Sequence, residues 1–507
     1  MVSMTTNLYT AEQVRELDRI AIEDHGIDGF QLMQKAARFA FHTLVKYWPE
    51  CKKIHVFCGS GNNAGDGYIL AGIAKNRGFD VKLHYLSPPE NLKNDALLAY
   101  YYSQEANVNC QPFTHEPTYT LSTDKSFVII DALLGTGLNS EVTGQYKQAI
   151  TQCNQSHAPT LSIDIPSGLS ANTGNPYGLA IKAHCTVTFI GLKRGMFTGA
   201  GRNYCGDILY DNLGITTNIF KQVPTSGKKL SIHSTLKSIK PRELNTHKGQ
   251  CGHVLVIGGD HGYGGAILMA AEAAVRMGAG LVSVATQKEH ISALLSRQPE
   301  IMVKSVTNIG QLLPLIELAN VLVIGPGLGQ SSWSEQMLHC VLKSKKTTVL
   351  DADALNLLSK KPNWLKHSNI ILTPHPGEAA RLLNVPTSAI QEDRFKSVKA
   401  IQKKWGGSIL LKGSGSLISH QDDAIKLCPY GNPGMATGGM GDVLSGIIGG
   451  LIAQGINKEN AIELAACLHA SAADIAAKQS GQRGILATDL IPIARSLLNN
   501  NLKYKPH

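Results

Sequence analysis

Apolar residues follow two alternating patterns along this chain. Uninterrupted apolar runs, such as residues 54–58 and 253–257, are typical of buried parallel strands. Apolar residues spaced three or four apart, such as Val14, Leu17 and Ala21, indicate one face of a helix. Because the two patterns alternate in both halves of the chain, they predict an α/β protein with parallel sheets.

Glycine-rich segments separate most predicted strands from the helices that follow them. The periodicity fades between residues 216 and 241, where Pro, Thr, Ser, Gly and Lys are frequent. We therefore predict two domains, over residues 1–224 and 225–507. The first is expected to be a Rossmann-like doubly wound sheet and the second an α/β/α domain.

The composition is that of a globular protein, with 43% hydrophobic and 17% charged residues in a chain of 507. The net charge of +10 is spread along the chain without interleaved aromatic residues, so we do not expect nucleic acid as a partner. The ten cysteines include no CxxC pair, which favours free thiols in a reducing compartment. With no signal-peptide pattern and no long apolar stretch, we expect a cytoplasmic protein that does not enter a membrane.

The first glycine-rich segment follows the predicted strand at residues 54–58. It fits the dinucleotide pattern Gly59-x-Gly61-x-x-Ala64, with a helix predicted over 68–77 and Asp80 near the position of a ribose-binding acid. Such a match is weak by itself, because a tight strand-to-helix turn needs the same glycines. The segment also carries amide and carboxylate side chains that a backbone pyrophosphate site does not need, namely Asn62, Asn63 and Asp66.

Two carboxylates end later strands of the first half. Asp131 and Asp164 each follow an apolar run, and the ends of parallel strands share one crevice. The oxygens of Asn63, Asp131 and Ser167 would suit a hard cation. Lys193 follows the next strand and could pair with Asp164 for epimerisation or racemisation, although an isolated lysine is more often solvated at the surface.

Strand ends in the second half also carry polar groups. The run at residues 348–350 leads to Asp351, Asp353 and Asn356, and the run at 370–372 leads to His375 between two prolines. The prolines keep the backbone extended and so fix the position of His375. A structural histidine remains the alternative.

Two later segments predict an anion site. Residues 412–416 offer a lysine, amides and hydroxyls, and residues 432–446 are rich in glycine before an apolar helix. Since the chain contains no Walker motif, a nucleotide would have to bind in another architecture. Asp442 is the only charge among residues 432–446, and we interpret it as a general base beside a phosphate, with a helix N-cap as the alternative.

Taken together, these motifs resemble those of bifunctional NAD(P)H-hydrate repair enzymes of the YjeF type over nearly the whole chain. The resemblance implies an epimerase domain over residues 1–224 and a ribokinase-like, ADP-dependent dehydratase domain over residues 225–507. In the first half, hydrate-binding positions of the family match Asn62, Asn63, Ala64, Gly65, Asp66, Gly135, Thr136, Gly137, Leu138, Asn139, Ser140, Glu141 and Asp164. Its potassium positions match Asn63, Asp131 and Ser167. In the second half, nucleotide positions match Lys412, Gly413, Ser414, Gly415, Ser416 and Gly441, and hydrate positions match Ala266, Gly327, His375 and Asp442.

The resemblance also implies a chemistry. Asp164 with Lys193 would interconvert the R and S epimers of NADHX and NADPHX, the hydrated forms of NADH and NADPH. Asp442 would deprotonate the hydroxyl of the S epimer for attack on ADP, and loss of phosphate would give NAD(P)H and AMP. The implied cofactors are K⁺ in the epimerase domain and ADP with Mg²⁺ in the dehydratase domain. The partners are then small molecules, and we expect a homo-oligomer.

Three other functions are compatible with parts of the sequence. A ribokinase-like small-molecule kinase fused to a non-catalytic Rossmann-like domain would explain residues 441–442. A scaffolding module in the first half is disfavoured by Asn63, Asp131 and Asp164. A plain NAD dehydrogenase would leave the second half unexplained.

Overall fold

A computed structural model of the chain describes residues 6–114, 127–365, 368–421 and 423–500. It divides into two compact units, the first ending at Gly227 and the second beginning at Lys228, here called unit 1 and unit 2. A short strand, β10 (Gly227–Lys229), includes the point of division. None of the helices in the described ranges combines the length and apolar character needed to cross a membrane.

Unit 1 alternates strands and helices as its apolar pattern predicts. Its strands in chain order are β1 (Asn7–Tyr9), β2 (Lys53–Cys58), β3 (Asp80–Tyr85), β4 (Asn109–Pro112), β5 (Phe127–Ala132), β6 (Thr160–Ile163), β7 (Cys185–Phe189), β8 (Leu192–Lys193) and β9 (Asp207–Asp211). Its helices are α1 (Ala11–Arg19), α2 (Gly29–Tyr47), α3 (Asn62–Asn76), α4 (Asn94–Glu105), α5 (Gly144–Gln155) and α6 (Thr217–Phe220), with a π-helical turn at Ile20–Asp24 after α1.

The main sheet of unit 1 is parallel and doubly wound. Among the described residues its order is β4-β3-β2-β5-β6-β7-β9, and every neighbouring pair is parallel. One face packs on α2 and α3 through Leu44, Ile54 and Leu70, and the other packs on α5 through Phe57 and Ile150. The strand order reverses between β2 and β5, which is where such sheets bind ligands.

One predicted boundary in unit 1 is wrong. The helix expected over residues 68–77 begins instead at Asn62, with Gly61 as its N-cap. Two glycines within α3 serve packing, because a methyl group on Gly65 would lie 2.6 Å from Met33 Sδ and one on Gly67 would lie 2.6 Å from Ala132 Cβ. The polar side chains expected in a loop therefore occupy the first turns of a helix.

Asp80 does not lie where a ribose-binding acid is needed. It is the exposed first residue of β3 and pairs with Lys53 at the start of β2. Both residues lie at the amino ends of their strands, whereas ligands bind at the carboxyl ends. The expectation for Asp80 is therefore wrong.

Unit 2 also alternates strands and helices, over a longer part of the chain than unit 1. Its strands are β11 (His253–Ile257), β12 (Leu281–Thr286), β13 (Met302–Ser305), β14 (Val321–Ile324), β15 (Thr347–Leu350), β16 (Ile370–Leu372), β17 (Ser408–Leu411), β18 (Ser416–Ser419) and β19 (Ile425–Cys428). Its helices are α7 (Ile232–Thr235), α8 (Gly264–Arg276), α9 (Ile291–Arg297), α10 (Ile309–Leu318), α11 (Ser332–Lys343), α12 (Ala352–Lys360), α13 (Pro376–Leu383), α14 (Thr387–Glu392), α15 (Arg394–Trp405), α16 (Met440–Ala453), α17 (Lys458–Ser480) and α18 (Leu490–Asn500).

The unit 2 sheet is parallel for most of its width. Within the described residues its order is β13-β12-β11-β14-β15-β16-β17-β18-β19, and the pairs β17–β18 and β18–β19 are antiparallel. Helix α16 packs closely on α8, since a methyl group on Gly446 would lie 2.1 Å from the Ala270 carbonyl oxygen. This packing anchors the start of α16 beside the carboxyl ends of the central strands.

All ten cysteines are free, and nine of them are buried.

Candidate functional site

A cavity of about 520 Å³ opens at the carboxyl edge of the unit 1 sheet. Its walls come from α1, the start of α2, the start of α3 and the segment after β5. The segments after β2 and β5 touch, because a methyl group on Gly59 would lie 1.9 Å from the Leu133 carbonyl oxygen. Nine predicted hydrate-binding residues line the cavity: Asn62, Asn63, Asp66, Gly135, Thr136, Gly137, Leu138, Asn139 and Asp164.

Four predicted hydrate-binding residues of unit 1 are not among those that line the cavity. Ala64 and Gly65 are buried in α3, where the Ala64 carbonyl accepts a hydrogen bond from the Cys58 thiol. Ser140 and Glu141 are exposed, and Glu141 packs against Gly178. For these four residues a role in ligand binding stays a prediction.

Asn63 is a polar side chain in need of a partner. Only 8% of the residue is exposed, yet neither its Oδ1 nor its Nδ2 has a hydrogen-bond partner within the part of the chain that the structure describes. Gly135 lies against it, since a methyl group there would be 3.3 Å from Asn63 Cβ and 3.9 Å from Asp164 Oδ2. A buried amide without partners is costly, which indicates that a ligand or an ion completes its hydrogen bonds.

Lys193 forms a buried ion pair with Asp164. Its side chain is fully buried, and it also donates to Thr188 Oγ1 at 2.9 Å and to the Phe189 carbonyl oxygen at 3.2 Å. Asp164 lines the cavity with φ of 68°, a left-handed conformation that costs energy outside glycine. The structure therefore joins the predicted pair, and the alternative of a solvated surface lysine is wrong.

Asp131 and Ser167 lie behind the cavity wall. Asp131 is fully buried and accepts hydrogen bonds from the Ser167 amide at 2.9 Å and from Ser162 Oγ at 2.7 Å, as well as from the Ser167 hydroxyl. Burial raises the pKa of Asp131, while these hydrogen bonds act in the opposite direction. No Lys, Arg or His among the described residues forms an ion pair with it.

Sequence reasoning missed two cavity residues on α1. Asp18 and Arg15 both line the cavity, and Arg15 Nη1 donates to the Thr136 carbonyl oxygen at 3.0 Å. Burial and the charge of Asp164 raise the pKa of Asp18 to about 7, although Lys193 lowers it. The sequence gave no signal for Asp18 or Arg15, because charged residues on an amphipathic helix normally face solvent.

The unit 2 site is built around Lys412, at the end of β17. Its Nζ donates to Asp351 Oδ1 at 2.7 Å and lies 3.8 Å from Glu378 Oε2. Ser445 of α16 donates to Asp351 Oδ2 at 2.7 Å. Burial would raise the pKa of Asp351, but Lys412 and these hydrogen bonds hold it below its usual range. Two strand ends and two helices, α13 and α16, thus meet at a single ion pair.

Asp442 lies in the first turn of α16, beside that ion pair. The N-cap of α16 is Gly439, which has φ of 88° and makes no side-chain cap, so the alternative of Asp442 as an N-cap is wrong. Burial raises the pKa of Asp442 to about 7, with the charge of Asp351 adding to the effect and Lys412 opposing it. A methyl group on Gly441 would lie 3.1 Å from Lys412 Nζ, so the backbone here passes close to the ammonium.

His375 is held where the prolines predict, as the extended N-cap of α13. Its ring accepts a hydrogen bond from the Gly377 amide at 3.0 Å, and Glu378 Oε2 accepts from the His375 amide at 2.8 Å. The ring remains half exposed, and burial lowers its pKa. A directed, neutral imidazole therefore faces outward beside Lys412.

The remaining predicted residues of unit 2 lie in two places, around the start of α8 and in the segment after β17. Gly327, with φ of 59°, touches Ala266, since a methyl group on Gly327 would lie 3.3 Å from the Ala266 Cβ. Gly413 has φ of 141° and lies over Arg394, whose Nη2 donates to the Lys412 carbonyl oxygen at 3.3 Å. In the segment after β17, Gly413 and Ser414 are exposed, Gly415 is buried and Ser416 is half-buried.

Arg394 is a further residue that the sequence did not reveal. It is 1% exposed, and burial lowers its pKa to about 10. Besides Lys412 it donates to the Leu411 carbonyl oxygen at 3.3 Å and to Gln391 Oε1 at 3.0 Å. A buried guanidinium under the segment 412–416 adds positive potential to the place where an anion is expected.

The chain resembles known proteins along nearly its whole length. A family model described as NAD(P)H-hydrate dehydratase matches residues 254–495, and one described as YjeF-related protein N-terminus matches residues 29–195. The chain is 45% identical to the bifunctional NAD(P)H-hydrate repair enzyme Nnr of Coxiella burnetii, over 97% of this chain and 100% of that one. It is 40% identical to the Escherichia coli protein of the same name, over 100% of this chain and 96% of that one.

A solved structure of a ribokinase-like superfamily protein from Enterococcus faecalis resembles part of the chain. The sequence identity is 33% and the TM-score is 0.49, with 54% of this chain and 95% of that one covered. Together with the full-length relatives, the family models confirm the predicted family, the two-domain α/β fold and the prediction that the protein is an enzyme. The chain belongs to the family of bifunctional NAD(P)H-hydrate repair enzymes.

Proposed function

We propose that this protein repairs hydrated NADH and NADPH in two steps. Unit 1 interconverts the R and S epimers of the hydrate, and unit 2 dehydrates the S epimer with ADP, giving NAD(P)H, AMP and phosphate. The observation that carries the proposal is the pairing in each unit of a buried lysine–aspartate ion pair with a second carboxyl of raised pKa, Asp18 in unit 1 and Asp442 in unit 2. Two carboxyls in contrasting surroundings, one paired with a lysine and one unpaired, are typical of acid–base sites.

In unit 2, Asp442 acts as the general base. Ionised, it takes the proton of the hydrate hydroxyl, whose oxygen then attacks the terminal phosphorus of ADP and releases AMP. Loss of phosphate from the same carbon, with a proton from the neighbouring carbon, restores the ring double bond. The ammonium of Lys412 and the free amides at the start of α16 stabilise the charge that develops on the transferred phosphoryl group.

The nucleotide is held by the segments around this base. Lys412, Gly413, Ser414, Gly415, Ser416 and Gly441 form the nucleotide-binding set. Gly413 and Gly415 have positive φ, so the backbone can present successive amides to an anion. We expect ADP to arrive as its Mg²⁺ complex, because Mg²⁺ is usually held by substrate phosphates with one or two carboxylates, which Asp353 and Glu378 supply at this edge.

The hydrate in unit 2 lies between the start of α8 and the start of α13. Ala266 and Gly327 provide a close backbone surface, and His375 presents a neutral ring beside Lys412. With Asp442 these residues complete the hydrate-binding set of unit 2.

In unit 1, the hydrated ring occupies the cavity in front of Asp164. Lys193 holds Asp164 in position by pairing with it, and the two together move the protons needed to invert the hydroxyl-bearing carbon. The unsatisfied amide of Asn63 completes the polar wall on the other side of Gly135.

Residues of unit 1 also fit a monovalent cation. Asn63 has a buried oxygen without a partner, and the buried Asp131 carboxylate has no cationic partner among the described residues. An oxygen-only set of Asn63, Asp131 and Ser167 suits K⁺, which would supply the missing positive charge and fix the start of α3. No group of three His, Cys, Asp or Glu side chains suited to a metal ion occurs in the described ranges.

The proposal extends to the setting of the enzyme. We expect a cytoplasmic homo-oligomer whose partners are NADHX, NADPHX, ADP and AMP. Size-exclusion chromatography with light scattering would test the oligomer, and a single-chain mass of about 54.4 kDa would contradict it.

One assay tests both activities. The protein is incubated with a mixture of R and S hydrate and excess ADP, and absorbance in the reduced nicotinamide band is followed. Complete conversion supports both activities, whereas conversion of only the S fraction contradicts the epimerase. Accumulation of a stable phosphoester with ATP, without recovery of NAD(P)H, would instead favour the kinase alternative.

A further inference from the structure

The cavity of unit 1 contains a second carboxyl, Asp18, besides that of Asp164. Asp18 projects from α1 into the cavity that Asp164 enters from the end of β6. The influences on Asp18 are burial and the charges of Lys193 and Asp164, with no hydrogen bond among them. An unpaired carboxyl beside a paired one is the usual arrangement of an acid and a base that act on one carbon.

The position of Asp18 follows from how α1 is anchored. Strand β1 pairs with β8, so that Tyr9 lies next to Lys193, and α1 begins two residues later. Val14 packs on the chain before β8, because a methyl group on Gly191 would lie 2.9 Å from its Cγ2. Since Asp18 is one helical turn beyond Val14, it lies on the same face of α1, and both residues line the cavity.

Helix α1 is also held to the segment after β5. Arg15 donates to the Thr136 carbonyl oxygen, and the chain then enters the π-helical turn at Ile20–Asp24, a feature that is frequent at functional sites. An unsatisfied polar group lines the same cavity, since Asn63 is buried without a hydrogen-bond partner in the described ranges. Asp18 therefore faces a site prepared for a polar ligand.

We propose that Asp18 is the general acid of the epimerase, with Asp164 as the base. This inference rests on the proposed function of unit 1. Asp18 protonates the hydroxyl of the hydrate, the carbon–oxygen bond breaks, and water leaves while the ring nitrogen donates its electron pair to form an iminium ion. Water then adds to the opposite face of that carbon, and Asp164 accepts its proton. Asp18 ends as a carboxylate and Asp164 as an acid, which is the arrangement required for the reverse direction.

Four ionisable groups lie around Asp18, and the charges of two of them, Lys193 and Asp164, act on its pKa. The four groups are Lys193 of β8, Asp164 after β6, Asp66 of α3 and Arg15 on α1 itself. Burial and Asp164 raise the pKa of Asp18 to about 7. An acid of this kind is protonated below that pH, so the epimerisation rate falls as the pH rises through about 7.

The test uses the full chain and the mixed epimers with excess ADP. A fast phase reports dehydration of the S epimer by unit 2, and the slow phase that follows reports epimerisation above the spontaneous rate. We expect Asp18→Asn to slow the second phase by about 100-fold or more and to leave the first within about twofold. Glu16→Gln, which removes an exposed carboxylate of the same helix, should leave both phases unchanged.

Two further readouts separate an acid from a structural residue. The wild-type slow phase should decline above a pH of about 7, and this decline should disappear in Asp18→Asn, while Asp18→Glu should recover part of the rate. In ¹⁸O-labelled water without ADP, epimerised hydrate should gain one labelled oxygen. A slow phase within about threefold of wild type in Asp18→Asn, or epimerisation without label, would overturn the inference. If the wild-type protein itself gave no slow phase above the spontaneous rate, the proposed function of unit 1 would fail instead.

Discussion

The sites of the two units both contain a lysine–aspartate ion pair, but the surroundings of the pair differ. In each, a lysine at the end of a strand pairs with an aspartate, Lys193 with Asp164 and Lys412 with Asp351, and a second carboxyl remains without such a partner. The lysine of unit 1 is fully buried with one carboxylate, whereas Lys412 is 20% exposed and lies near a second carboxylate, Glu378. In both units the lysine is paired with one carboxylate, while burial raises the pKa of the unpaired carboxyl, Asp18 or Asp442, to about 7.

The free carboxyl differs between the units in what surrounds it. Asp442 itself lies in the first turn of α16, among amides that favour an anion, while Asp18 lies in the last turn of α1, at the opposite end of its own helix. A helix start suits phosphoryl transfer, in which charge develops on oxygen. A cavity with two carboxyls suits proton movement at a single carbon. The geometry therefore assigns different reactions to similar ion pairs.

The largest effect is expected at Asp442. Asp442→Asn removes the base and should lower ADP-dependent dehydration of the S epimer by about a thousandfold, because general bases contribute about 10²–10⁴-fold. ADP binding, measured by calorimetry, should persist. Glu459→Gln on α17 is an exposed control and should behave as wild type. A dehydration rate within about tenfold of wild type would contradict the proposed role of Asp442.

The next effect concerns stability and compares the two lysines directly. Lys193→Met leaves Asp164 beside the cavity without its cation and should cost about 3–5 kcal/mol of the unfolding free energy of unit 1, measured by urea denaturation. Lys412→Met should cost more, since it leaves Asp351, which is 1% exposed, without its cation, whereas Asp164 is 19% exposed. Adding Asp164→Asn to Lys193→Met should recover most of the loss. Equal costs for the two lysines would contradict the difference in burial.

The pH dependence of the two activities should have opposite signs. Dehydration needs ionised Asp442 and should rise with pH through about 7, whereas epimerisation should fall over the same range. Because the folded-state pKa of Asp442 is raised from 3.8, it adds stability that is fully present below about pH 4 and is lost as the pH rises through about 7. Asp442→Asn should therefore raise the melting temperature of unit 2 at pH 8, by about 3 °C. Parallel pH profiles for the two activities would contradict the assignment.

The smallest effect is expected from a single methyl group. Gly441→Ala would place a carbon 3.1 Å from Lys412 Nζ and 3.3 Å from Asp351 Oδ2, which should displace the ion pair and lower dehydration by about tenfold. Gly438→Ala meets no atom within 4 Å and should have a smaller effect. Initial rates at saturating ADP would measure both. A larger loss in Gly438→Ala would indicate that the backbone of the segment matters more than the ion pair.

Most of the fold could be predicted from periodicity. The apolar runs at residues 54–58 and 253–257 match strands β2 and β11, and the spacing of Val14 and Leu17 matches helix α1, because each depends on local spacing. The start of α3 was missed, since its glycines look like a loop until Met33 and Ala132 are seen to pack against them. Glycine in this helix is explained by close packing and not by a turn.

The candidate sites were predictable only in part. Strand-end residues such as Asp164 and Lys412 stand out because apolar runs lead to them, and in a parallel sheet the ends of such runs share one edge. Asp442 stands out as the only charge in the glycine-rich segment 432–446. Asp18 and Arg394 have no such signal, since each occupies an ordinary helix position in the sequence.

What the sequence by itself determined is the order of elements, the two α/β units, the family and the residues that end the strands. Only the tertiary structure decided which charges pair, because pairing depends on where distant segments come together: Lys193 is buried against Asp164, and Lys412 against Asp351. It also decided which carboxyls titrate near neutral pH, since the pKa of Asp18 and of Asp442 is set first by burial, a property of packing that no local pattern encodes.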